Sequence, residues 1–175
     1  LQRAEVREIY SGRTRLLARL GDFSLSRALK SERSDDCRTF FYFEDAFSFY
    51  SQALTAPCQG LDQNQLKLAM SLIRALQGDS SKALSIVGHG SEHSIENMLP
   101  SSGTSRAAFA LLQGRLLAAL GSPQRALTAI NAALNMATAA GDYDLAAECA
   151  EAAYSEMFNC NQWQQCYGFL LDGLA

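Results

Sequence analysis

The chain has 175 residues, 48% of them hydrophobic and 19% charged, a balance that excludes a disordered or fibrous segment and supplies a core without metal or disulfide staples. Ala and Leu number 52 against 7 for Val and Ile together; since β-branched side chains carry strands and small or straight ones carry helices, an all-α protein is expected. The net charge of -3 lacks the basic footprint of a nucleic-acid binder, and no apolar run approaches the roughly 20 residues that span a bilayer, so neither nucleic acid nor membrane is an expected partner.

Charge is unevenly distributed. Residues 1–34 hold eight of the fifteen basic side chains, Arg3, Arg7, Arg13, Arg15, Arg19, Arg27, Lys30 and Arg33. Residues 1–37 are therefore set apart as a basic N-terminal segment of one or two helices, broken near Gly12 and Gly21. Residues 40–56 form an aromatic helix stopped by Pro57. Its seven aromatics, Phe40, Phe41, Tyr42, Phe43, Phe47, Phe49 and Tyr50, cannot share one stripe, so some face a neighbouring helix and others point outward. Over 62–77, Leu66, Ala69, Met70, Ile73 and Leu76 recur at helical spacing before a Gly78-Asp79 break, and another helix opens at Ser81. Residues 88–103 are crowded with turn formers and read as an inserted loop.

Beyond that loop the pattern is clearest. Thr104 or Ser105 caps a helix carrying Phe109, Leu112, Leu116 and Leu117; Gly121-Ser122-Pro123 stops it and starts a second helix to about Ala140. Gly141-Asp142 precedes a third helix, Tyr143 to Phe158, and a break at 159–161 precedes a last one, Gln162 to Leu174.

Chemistry-bearing constellations are sparse. His89 and His93 are four apart, a metal-ligand spacing on a helix, but Gly88 and Gly90 interrupt any helix there, so no metal and no cofactor is expected. Cys160 and Cys166 fit neither a zinc site nor a redox pair. The five cysteines form an odd set that suits a reducing intracellular compartment, cytoplasmic or nuclear. With no phosphate loop and no nucleophile motif, the expected protein is not an enzyme and has no catalytic residues.

Internal similarity is more informative. Gly78-Asp79-Ser80-Ser81-Lys82-Ala83-Leu84 matches Gly121-Ser122-Pro123-Gln124-Arg125-Ala126-Leu127 at an offset of 43, and a further shift of 40 sets Asn161, Trp163, Cys166, Leu170 and Leu174 opposite Gly121, Pro123, Ala126, Ile130 and Leu134. Gly114, Leu117, Gly121, Ala126, Ile130 and Ala133 carry the small, apolar and Gly spacing of a tetratricopeptide repeat, and Ala46, Tyr50, Ala53, Leu54 and Pro57 resemble the second half of a unit. The chain thus resembles a diverged member of the tetratricopeptide repeat (TPR) family with units of roughly 40 residues, centred near 78, 121 and 161. The resemblance implies a superhelix of stacked antiparallel helical hairpins over 38–175, with an inserted loop at about 88–103.

What the resemblance implies for function is a protein-binding groove built from the first helix of each pair. The inward positions fall on Gln65, Leu68 and Leu72, then Ala108, Leu111 and Arg115, then Glu148, Glu151, Ser155 and Phe158. Only Arg115 among them is basic, too few for the family's clamp on a terminal carboxylate. Leu68, Leu72, Leu111 and Phe158 are expected to serve as apolar anchors for a partner helix or extended peptide, with Arg115 and Glu151 setting its orientation. The apolar ending Phe169 to Leu174 points to a self-associating structural subunit, joined through the terminal helices, as the first alternative, with a helical RNA-binding protein or enzyme behind it.

Overall fold

The computed structural model describes residues 2–31, 38–55, 61–88, 92–100 and 105–159, with first-helix side chains from position 11 to 30. These residues form α1 (Gln2–Ser31), α2 (Thr39–Thr55), α3 (Gln63–Leu76), α4 (Ser80–Val87), α5 (Glu92–Asn97), α6 (Arg106–Ala119), α7 (Pro123–Ala140) and α8 (Tyr143–Asn159). No strand occurs among the described residues, and the protein is all-α. The expected helix at 162–174, its repeat centre near 161 and the expected self-association site at 169–174 lie outside them.

The expected breaks near Gly12 and Gly21 are absent: α1 runs unbroken for 30 residues, about 45 Å. Gly21 is a contact residue instead. A Cβ there would sit 2.5 Å from Cε1 of Tyr50, so the missing side chain admits the tyrosine ring against the helix backbone. The Tyr50 hydroxyl donates to Asp22 Oδ1 at 2.8 Å, and the Arg27 guanidinium donates to the Tyr42 hydroxyl at 2.7 Å while lying over its ring. Partners climb along α1 as they descend along α2, which makes the two helices antiparallel. The basic first helix therefore shares a core with α2 and α3 across the boundary expected at residue 37.

Three later junctions use one backbone device. Gly78, Gly121 and Gly141 adopt φ of +83°, +82° and +72°, the left-handed conformation that lets the chain reverse after a helix. At the first, Gly78 N–H donates to Ala75 O and Asp79 N–H to Arg74 O, both at 2.9 Å; at the second, Gly121 N–H donates to Ala118 O and Ser122 N–H to Leu117 O at the same distance. Gly141 and Asp142 bond back to Thr138 and Ala137 in the same way. Turns this short force α3–α4, α6–α7 and α7–α8 to run antiparallel.

The core is a series of three clusters. Leu66, Ala69, Met70 and Ile73 of α3 pack with Phe43, Ala46 and Tyr50 of α2 and with Ala18, Leu25 and Ala28 of α1. Leu68, Leu72 and Ala75, on another side of α3, join Ala83 of α4, Ile95 of α5 and Phe109, Leu116 and Leu117 of α6. Ala110 and Leu111 of α6 then meet Ile130 and Ala133 of α7 and Cys149, Ala153 and Met157 of α8. Helices α3 and α6 each serve two clusters, which is why both are apolar on more than one side.

The stretch expected as an inserted loop contains α5. Ile95 is fully buried in the second cluster, and the Gln113 amide donates to the carbonyls of Ile95 and Met98. Arg125 of α7 holds the outer face of α5 through Glu92 at 2.7 Å and Glu96 at 2.6 Å. This pairing keeps the Glu96 carboxyl below its ordinary range. His93 is exposed beside Glu96, and His89 lies outside the described residues.

Candidate functional site: a groove along α1, α3, α6 and α8

Two adjoining cavities, about 850 and 460 Å³, share Leu29, Arg115 and Glu151 and form one trough. Its walls come from α1, α3, α6 and α8, with Tyr50 of α2 and Ile130 of α7 reaching it from behind. Ser105 sets the start of α6 by accepting from Ala108 N–H, and Asp142 sets the start of α8 by accepting from Leu145 N–H at 3.1 Å. Asp62 does the same for α3 with the amides of Asn64 and Gln65. Side-chain caps therefore fix three of the four wall helices at their N-termini.

The wider part is lined by Gln65, Ala108, Leu111, Arg115, Glu148 and Glu151, six of the ten positions expected from the sequence. Leu72 and Ser155 line the narrower part with Leu76, Ala118, Ala119 and Ala152. Arg115 stands where the two parts meet and reaches Glu148 of α8 at 3.5 Å. Leu68 is not in the groove: it is 0% exposed and belongs to the second core cluster. Phe158 is absent from the lining as well; it is half exposed and stands against Tyr154, with ring centroids 6.5 Å apart.

The expected apolar anchors thus need correction. Leu72 and Leu111 touch the trough but are only 1% and 3% exposed, because α3 and α6 spend their leucines joining one cluster to the next. What remains open to a ligand is half-buried: Leu29, Leu76, Ala118, Ala119 and Ala152. The contribution of α1, with Asp22, Leu29 and Lys30, was missed because no repeat signal includes it. The spacing of Asp22, Leu25 and Leu29 was its one available signal.

Electrostatics separate the walls. Burial pushes the Asp22 carboxyl above its ordinary range despite the Tyr50 hydrogen bond, and burial also raises Tyr50. Glu156 at the narrow end is raised by burial too. Cys149, buried behind the α8 wall, has its thiol pushed up by desolvation, the opposite of an activated nucleophile. Among the described residues no three His, Cys, Asp or Glu side chains stand where they could hold a metal ion, and no helix is long and apolar enough to cross a membrane.

No protein-family model, curated protein or solved structure matches the chain.

Proposed function

We propose that the chain is a TPR-like array of stacked helical hairpins that binds a helix or extended peptide of a partner protein in its groove, as a non-enzymatic scaffold within a larger intracellular assembly. The observation that carries this reading is the serial core. A closed bundle gathers its helices round one centre, whereas here α3 and α6 hand the core on from cluster to cluster. That order supports a quasi-linear stack in which α1, α3, α6 and α8, alternate helices once the short α5 is set aside, share one concave side. The turns spaced 43 residues apart, with matching hydrogen bonds, support the same reading.

The test fills the trough. Ala108 and Ala152 are half-buried on its lining, and replacing both with Trp obstructs it from two walls. Peptides selected from a display library on the wild-type chain are expected to lose about tenfold in affinity for Ala108→Trp/Ala152→Trp, roughly 1.4 kcal/mol. Selected peptides that bind the filled variant equally well would count against the groove, provided its thermal unfolding is still cooperative.

Self-association is the second reading. Leu16, Leu20 and Phe23 form an exposed stripe at helical spacing on α1, the first and last being 58% and 62% exposed. Sedimentation velocity over a hundredfold concentration range distinguishes an associating chain from a monomer.

A further inference from the structure

The groove has a chemical preference of its own. Asp144, Glu148 and Glu151 stand at i, i+4 and i+7 on α8, so one edge of that helix is an acidic stripe facing the trough. No Lys or Arg occurs in α8. Like charges at this spacing weaken an isolated helix, and Arg115 meets the stripe at Glu148, at 3.5 Å. Across both cavities the lining holds six carboxylates and two basic groups, Arg115 and Lys30. The narrower part adds Leu29, Leu76, Ala118 and Ala119, apolar side chains that stand beside Arg115, Glu151 and Glu156.

Resting on the groove reading above, we infer that the trough selects a cationic amphipathic segment of a partner protein, its apolar side chains over the α6 alanines and its Lys or Arg side chains along the α8 stripe. Charge complementarity decides the occupant. An acidic segment would set its carboxylates against the exposed Asp144 and Glu148, where like charges repel to the extent that salt does not screen them. A purely apolar segment would cover those carboxylates without supplying partners for them, which is costly. A cationic one neutralises the stripe and relieves its internal repulsion.

The experiment measures fluorescence anisotropy of the full 175-residue chain with three labelled 14-residue peptides on one leucine framework, bearing Lys, Gln or Glu at every other position. The Lys peptide is expected to bind about tenfold more tightly than the Gln peptide and to weaken several-fold between about 50 and 300 mM NaCl, the Glu peptide being weakest. Asp144→Asn/Glu148→Gln is expected to weaken the Lys peptide about fivefold, whereas Arg115→Gln and Lys30→Gln strengthen it, an opposite sign that general damage to the fold cannot produce. Asp45→Asn, on the exposed side of α2, should change nothing; an effect equal to that of the α8 pair means nonspecific attraction and overturns the inference. Equal or tighter binding of the Gln peptide overturns the charge preference and leaves the groove standing. Binding of none of the three overturns both.

Discussion

The hairpins α3–α4 and α6–α7 begin from the same turn and end differently. Their glycines differ by one degree in φ, and the hydrogen bonds round them correspond one for one at an offset of 43. The contact seven residues before each glycine also corresponds: Ser71 donates its hydroxyl to Ala83 O at 2.6 Å, while at Gly114 a Cβ would lie 3.1 Å from Ala126 O. Both positions bring a helix against the backbone of its partner, one by a hydrogen bond and one by omission of a side chain. The second helices then diverge. α7 runs 18 residues, whereas α4 runs 8 and stops at Gly88, and α5 supplies Ile95 to the cluster that α4 leaves short. A turn repeated within the chain thus specifies how two helices meet, and says nothing of how far the second one goes.

The comparison can be broken most severely at α5. Ile95→Ala is expected to cost about 3 kcal/mol, because it removes a fully buried side chain and leaves a cavity, whereas a solvated loop would tolerate it; urea unfolding decides. Next, Ala126→Trp and Ala83→Trp should each cost about 2 kcal/mol or more if the two alanines occupy equivalent helix contacts, both being fully buried. An unchanged unfolding midpoint for either would remove the equivalence. Ser71→Ala is expected to cost about 1 kcal/mol by leaving the Ala83 carbonyl without its side-chain donor.

The smallest effect separates the two caps. Asp79 accepts from Lys82 N–H and pairs with the Lys82 ammonium at 2.7 Å; Ser122 makes no such cap, gives its hydroxyl to Glu92 and leaves the start of α7 to Pro123. The Lys82 side chain and amide hold the Asp79 carboxyl down from 3.8 to about 2. A lowered folded-state value stabilises above the unfolded one, so this contribution is complete above about pH 4 and is lost as pH falls toward 2. Protection factors of the α4 amides, referenced to the intrinsic exchange rate at each pH, should fall over that window in the wild type, less so in Asp79→Asn, with no matching change at the start of α7.

Much of the helical order was legible because its punctuation is local. Gly121-Ser122-Pro123 and Gly141-Asp142 announce their turns within three residues, and the stripe from Phe109 to Leu120 needs nothing from outside its own helix. Three features were not legible, for one shared reason. Gly21 reads as a break because the ring that excuses it is Tyr50, in another helix. Residues 92–97 read as loop because Ile95 finds its burial against Phe109 and Leu117, well down the chain. Leu68 and Leu72 read as anchors because periodicity gives a face and cannot say whether a second cluster already occupies it. That Gln65, Arg115, Glu148 and Glu151 line an open cavity and do not join the core was legible, since polar and charged groups are seldom buried.

Cys149 sits in the third cluster, fully buried and between α7 and α8. A thiol reagent can reach it only when the third cluster opens, whatever the state of the other two. With Cys37, Cys58, Cys160 and Cys166 replaced by Ser, its labelling rate would become a clock for opening of that cluster alone, read against hydrogen exchange in the first.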